Sequence, residues 1–183
     1  MKIFLDFETR SFCDLPAHGG WVYSEDPTTD VFCMAYYCDG MKSPRLYVPP
    51  WVTVDKKAKS EFTIDWEVPK IFFDPEAEFV ARNALFEYAI VSNICIPRYG
   101  FPESMRDVDK WYCTRAMCVC LGLPASLEMS AKVLRVETQK LEVGNYLINT
   151  YSKPLKNKKT GELSFRELTA ACLLYTSPSP RDS

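Results

Sequence analysis

The feature that most constrains this chain is its opening run, Lys2-Ile3-Phe4-Leu5-Asp6-Phe7, apolar in the middle and meeting an acid near its end. A short apolar run of this kind reads as a central strand, and it needs cover on both sides. The residues downstream supply that cover. Val31 to Cys38 form a second strand candidate, closed by the turn dipeptide Asp39-Gly40, and Arg45 to Val48 can return as its hairpin partner before Pro49-Pro50 stops it. Residues 51 to 75 show no clean period and read as irregular structure, and Glu78 to Ala81 is a further short strand. Asn83 is placed as an N-cap, and the helix after it carries Phe86, Ala89, Ile90 and Ile94 along one face. Thr114 and Ser126 read as caps of two more helices, separated by Gly122-Leu123-Pro124, and a fourth helical stretch is expected from Gln139 to Tyr151. Strands first, then helices alternating with short strands, predict an α/β domain with a mixed sheet.

Composition narrows the functional classes. At 183 residues the chain suits one domain with a real core and is too short for two large catalytic domains. A net charge of −2 argues against nucleic-acid binding by bulk electrostatics, but not against a local groove with carboxylates at its centre. No stretch approaches the roughly 18 apolar residues of a membrane span, and Asp6 comes too early for a signal peptide, so a cytoplasmic location is expected. The eight cysteines read as reduced thiols. Cys113, Cys118 and Cys120 form the tightest group, but His18 is the single histidine and no Cys-x-x-Cys pair exists, which disfavours structural zinc.

Two segments depart from the average. Between Lys132 and Arg166 there are eight basic residues against three acids, a local charge of +5. Such a run is either a solvated loop or a set of phosphate contacts. Residues 172 to 182, Cys-Leu-Leu-Tyr-Thr-Ser-Pro-Ser-Pro-Arg-Asp, break the helical promise of Phe165-Arg166-Glu167-Leu168-Thr169. They resemble the translation of a transposase adapter used in sequencing libraries. We therefore expect native sequence over 1–171 and a non-native, disordered tail over 172–183.

The chemistry concentrates in two places. In Asp6-Phe7-Glu8-Thr9 the period of a strand points Asp6 and Glu8 to one side, about 7 Å apart at their Cα atoms. Two carboxylates so placed suit oxygen-seeking divalent metal, and a pair of such ions can promote phosphodiester cleavage. In Ala81-Arg82-Asn83-Ala84-Leu85-Phe86-Glu87 a short strand feeds a helix, and positions 83 and 87 share a face. Glu87 can then reach a metal while the Asn83 amide orients a carboxylate or a nucleotide. Taken singly, each motif has a plain alternative: solvent-facing acids at a strand end, or a cap with an acid at the positive end of a helix.

Together the two stretches resemble the DEDD exonuclease superfamily, and more closely the 3′-to-5′ exonuclease part of phage-type, family A DNA polymerases. Trp111-Tyr112-Cys113-Thr114, Gly122-Leu123-Pro124-Ala125-Ser126-Leu127-Glu128 and Tyr151-Ser152-Lys153-Pro154 extend the likeness over nearly all of residues 1 to 170. The resemblance implies a ribonuclease H-like mixed sheet with flanking helices, incomplete at the C-terminus. It assigns Asp6, Glu8 and Glu87 to catalysis and to two Mg²⁺ or Mn²⁺ ions, and Thr9, Asn83 and Phe86 to the substrate, a single-stranded DNA 3′ end. It implies proofreading hydrolysis in an intact protein that continues into a polymerase domain. Two departures stand out: Arg82 replaces the usual histidine, and the third motif, a tyrosine followed four residues later by aspartate, is missing. Tyr175 is followed at that spacing by Ser179, inside the adapter-like tail, where Asp182 cannot substitute. The fragment is accordingly expected to be inactive. A stand-alone exonuclease on RNA or oligonucleotides, and a non-catalytic DNA-binding domain of the same fold, are the alternatives.

Overall fold

The computed structural model describes residues 1–53, 63–136 and 148–167. Its centre is a six-stranded mixed sheet in the order β4-β3-β2-β1-β5-β6. The strands are β1 (Lys2–Arg10), β2 (Asp30–Cys38), β3 (Arg45–Tyr47), β4 (Thr63–Asp65), β5 (Glu78–Ala81) and β6 (Trp111–Cys113). β1, β2 and β3 form an antiparallel meander, β4 runs parallel to β3, and β5 and β6 continue parallel to β1 on its other side. With helices packed against this sheet, the chain has the mixed α/β, ribonuclease H-like architecture expected from its sequence.

β1 lies in the middle, so its two faces do different work. Ile3, Leu5, Phe7 and Thr9 are buried on one face. The first three pack there with Phe79 and Ala81 of β5 and with Ile90, Val91 and Ile94 of the helical layer. At Glu8/Thr9 the register with β2 slips, Glu8 pairing with Cys33 and Thr9 with Val31, which leaves Phe32 as the extra residue. The irregularity lets both Phe32 and Cys33 enter a second cluster with Ala35, Leu46, Val48 and Val52. β2 is thus buried on both sides.

The helical layer begins with α1 (Leu15–Glu25), which the sequence reading missed. Gly19, with φ +78°, kinks it, and its apolar residues follow no helical period. Gly20 has a packing role: a Cβ there would sit 3.2 Å from the ring of Phe86, so glycine permits the close approach of α1 to α2 (Ala84–Ile90). α2 passes through a wide turn at Val91–Cys95 into α3 (Ile96–Tyr99), where Pro97 removes an amide from the ladder. α3 stops at Gly100 in the left-handed conformation.

Several expectations are adjusted. β1 extends to Arg10, and β6 was not foreseen. Residues 51 to 75, expected to be irregular, contain β4, held by the Arg45–Asp65 ion pair and by the Tyr36 hydroxyl donating to Asp65, and a 3₁₀ turn at Lys70–Phe73. A three-residue edge strand is too short to show a period. Cys113, rather than Thr114, caps α4 (Thr114–Cys120), its sulfur accepting from the Ala116 amide, while Ser126 precedes α5 (Leu127–Leu134) without a side-chain cap bond. Of the stretch expected to be helical from Gln139 to Tyr151, residues 139–147 lie outside the described residues, and Ile148–Ser152 make one wide turn. The adapter-like residues 172–183 also lie outside them. Among the described residues, no helix is long and apolar enough to cross a membrane.

Candidate active site

The pleat of β1 places Lys2, Phe4, Asp6, Glu8 and Arg10 on the face opposite its buried apolar set. Asp6 and Glu8 are half-buried, in the part of β1 that extends past its pairing with β5, which ends at Phe4 opposite Val80. α2 starts just after β5, so its first turn comes down beside this free portion of β1. Glu87 sits in that turn and is only 4% exposed.

A buried glutamate on an apolar helix face needs an explanation, because a desolvated carboxylate without a partner is costly. One of its oxygens, Oε2, has no hydrogen-bond partner. Burial, joined by the charges of Asp6 and Cys113 and opposed by a backbone hydrogen bond, pushes the Glu87 carboxyl up to about 8. The arrangement favours a proton or a cation at this place. Asp6 and Glu87 are therefore brought into electrostatic contact. Glu8 stands on the same strand face but acts on another neighbour, adding to the upward shift of the buried Tyr23 hydroxyl. Among the described residues, no three His, Cys, Asp or Glu side chains converge closely enough to hold a metal ion.

The three residues assigned to substrate are placed differently from one another. Asn83 is exposed at the start of α2, and its side chain makes no capping bond, so the amide is not consumed by the helix. Thr9 is buried on the apolar face of β1, where its hydroxyl lies 2.9 Å from that of Tyr23, away from the Asp6–Glu8 side. Phe86 is half-buried, 6.0 Å from the Tyr23 ring and pressed on Gly20, so it serves the α1–α2 junction. Phe7, the other aromatic near the motif, is core.

Arg82 also has an internal role. Its guanidinium donates to the carbonyl oxygens of Thr114 and Ala125, to the Cys118 sulfur and to the Ser130 hydroxyl, at 3.5, 2.8, 3.2 and 3.1 Å. It ties the β5–α2 turn to α4 and α5 and so steadies the turn from which Asn83 and Glu87 project. Two neighbours escaped the sequence reading. Cys113, at the end of β6, reaches Glu87 electrostatically, which only the pairing of β6 with β5 could reveal. Arg10 continues the alternation of Asp6 and Glu8, a signal that was present in the sequence once β1 is known to run that far.

No protein-family model matches the chain. Over 164 residues it is 30% identical to a DNA polymerase of Bacillus phage SP02, an alignment covering 90% of this chain. The chain is similar to a phage polymerase. It spans 23% of that protein's length, so the similarity relates it to one part of a much larger enzyme. Asp6, Glu8, Asn83 and Glu87 thus sit in a domain similar to part of a phage DNA polymerase, whose ribonuclease H-like sheet puts an acidic strand end beside a buried glutamate.

Proposed function

We propose that this domain is the 3′-to-5′ exonuclease portion of a phage-type DNA polymerase, removing nucleotides from DNA 3′ ends by metal-dependent hydrolysis. The observation that carries the proposal is the buried, unpaired Glu87 oxygen beside Asp6. A carboxylate kept there only for stability would be selected against, since an apolar side chain fits the same layer without the desolvation cost. The donors are all carboxylate oxygens, which suits Mg²⁺ or Mn²⁺. Asp6, Glu8 and Glu87 do not converge as a closed set among the described residues, so they would hold the ions only together with a further ligand, and the ions when bound would supply charge to polarise the phosphodiester and stabilise its leaving oxygen.

The remaining tasks belong to the chain itself. Glu87, walled in by α2 and the sheet, keeps bulk water from one side of the site. Asp6 and Glu8, half-buried on the strand beyond its pairing with β5, would face the nucleotide. Asn83, exposed one helical turn from Glu87, offers an amide to the backbone or base of the terminal nucleotide. The third-motif aspartate has no counterpart among residues 1–171, so three carboxylates face two divalent charges and the isolated chain should cleave poorly.

The test is a labelled single-stranded DNA incubated with Mn²⁺ and either residues 1–183 or a longer form carrying the sequence that follows in a polymerase-length protein. Stepwise shortening from the 3′ end by the longer form, with little by the short one, is expected. No metal-dependent shortening by either would remove the nuclease reading and leave a non-catalytic domain.

A further inference from the structure

Past the sheet, residues 148–167 fold back over the carboxylate side of β1. Tyr151 packs against the cluster formed by Phe32, Cys33 and Ala35, and Phe165 stacks on Phe12 with ring centres 4.6 Å apart and planes 21° apart. The Arg10 guanidinium lies 4.8 Å from the Phe165 ring centre and 4.2 Å from that of Trp51. Arg10 is the next residue after Glu8 on the same strand face, about 7 Å along. The root of this segment is therefore fastened next to the acids by ring stacking and cation–π contact, worth of order 1 kcal/mol each.

Between the two anchors runs a hairpin of β7 (Leu155–Lys156) and β8 (Leu163–Ser164). Its loop is well specified. The Asn157 side chain accepts from the amides of Lys159 and Thr160, the Asn157 amide donates to the Glu162 carbonyl, and Gly161 adopts φ +76°. Lys158 and Lys159 are thereby held at the tip of an ordered turn. From Lys153 to Glu167 there are five cations, Lys153, Lys156, Lys158, Lys159 and Arg166, against two acids, in a chain whose net charge is −2. All five are exposed, and among the described residues none forms an ion pair.

We propose that this hairpin is a phosphate-contacting arm that holds single-stranded nucleic acid across the carboxylate face of β1. The arm rests on the nuclease reading for what lies beneath it, and its chemistry is its own: point charges that neutralise a backbone without reading sequence. The negative balance of the rest of the chain keeps a strand from settling elsewhere, so the arm sets where it binds. Arg10 and Phe165 fix the arm's root, and the lysines at its tip supply the attraction.

The experiment measures binding apart from cleavage. Residues 1–183 are titrated into a fluorescent twenty-nucleotide oligothymidylate in EDTA, by anisotropy, across a range of salt. The wild type is compared with the surface triple variant Lys156→Gln, Lys158→Gln, Lys159→Gln and with Asp6→Ala. Removing one lysine–phosphate interaction with a single strand lowers the slope of log affinity against log salt by about 0.7, so the triple variant should lose about 2 and bind at least tenfold more weakly at low salt. Asp6→Ala should bind as well as wild type or better. An unchanged slope and affinity in the triple variant, or no binding by the wild type, would overturn the arm. Capture of anionic lipid vesicles in place of the oligonucleotide would overturn it as well. Salt-dependent binding that persists in a longer form lacking any metal-dependent cleavage would support the arm while removing the nuclease reading.

Discussion

The two faces of β1 are built from one nine-residue strand and obey opposite rules. On one, Ile3, Leu5 and Phe7 are almost fully buried, and even the polar Thr9 is buried and paired with Tyr23. On the other, Phe4, Asp6, Glu8 and Arg10 stay partly open, and their neighbours are a buried glutamate, a cation–π stack and a basic hairpin. The contrast teaches that alternate positions of a strand can be divided between folding and chemistry, because successive side chains are separated by the sheet itself. A substitution on one face should then move stability, and on the other function.

The largest effect should come from the open face. In a longer, active form of the protein, Asp6→Ala should lower single-strand cleavage by about 10³-fold or more, equivalent to roughly 4 kcal/mol of transition-state stabilisation. The urea midpoint should stay within a small fraction of wild type. Near-normal cleavage with Mg²⁺ would remove Asp6 from the site.

Across the pleat, Phe7→Ala should cost about 3–5 kcal/mol of stability, since it opens a cavity between the sheet and the helical layer. Chemical denaturation should show this in residues 1–183 themselves. A loss of less than about 1 kcal/mol would mean that the two faces are not divided as described.

Glu87 joins the two regimes, since it is buried like one face and acidic like the other. Its carboxyl is raised from 4.5 to about 8, so in metal-free protein the folded state holds a proton that the unfolded chain has released. The stability linked to that proton is complete below pH 4.5 and is lost as the pH rises through about 8. Glu87→Gln should flatten this fall and, above pH 8, raise stability by about 1–3 kcal/mol, the cost of a buried unsatisfied group. Thermal melts in EDTA at several pH values would show it, and an unaltered pH profile in the variant would contradict the assignment.

The smallest expected change separates two roles for Thr9. Thr9→Val removes the partner of the Tyr23 hydroxyl and should cost about 1 kcal/mol while leaving cleavage by a longer form unaltered. A large loss of cleavage with little loss of stability would instead place the Thr9 hydroxyl at the substrate.

Much of this arrangement was legible beforehand, for reasons particular to each element. The strands at Lys2, Val31, Arg45 and Glu78 are dense in apolar residues, and those at Val31 and Arg45 are closed by Gly or Pro signals, so local pattern suffices. The helix after Asn83 has a periodic apolar face. Its wide turn at Val91–Cys95 shows no sequence signal beyond Pro97. α1 was missed because Gly19 and Gly20 make poor helix formers and its packing depends on Phe86, which is 66 residues away and close only in the fold. Arg82 likewise stood out only as a departure from the usual histidine until α4 and α5 folded against it.

By itself the sequence determined which side chains of β1 share a face, where the acids lie, and that a strand leads into a helix at Asn83. These follow from backbone periods of 2 and 3.6 residues, which are local properties. Only the tertiary structure decided that Glu87 is buried with an unpaired oxygen beside Asp6, that Thr9 lies against Tyr23 and Phe86 against Gly20, and that a basic hairpin is fastened to Arg10. Burial and charge proximity depend on which distant segments come to lie together. That depends on strand pairing and helix packing across the whole domain, and no local period records it.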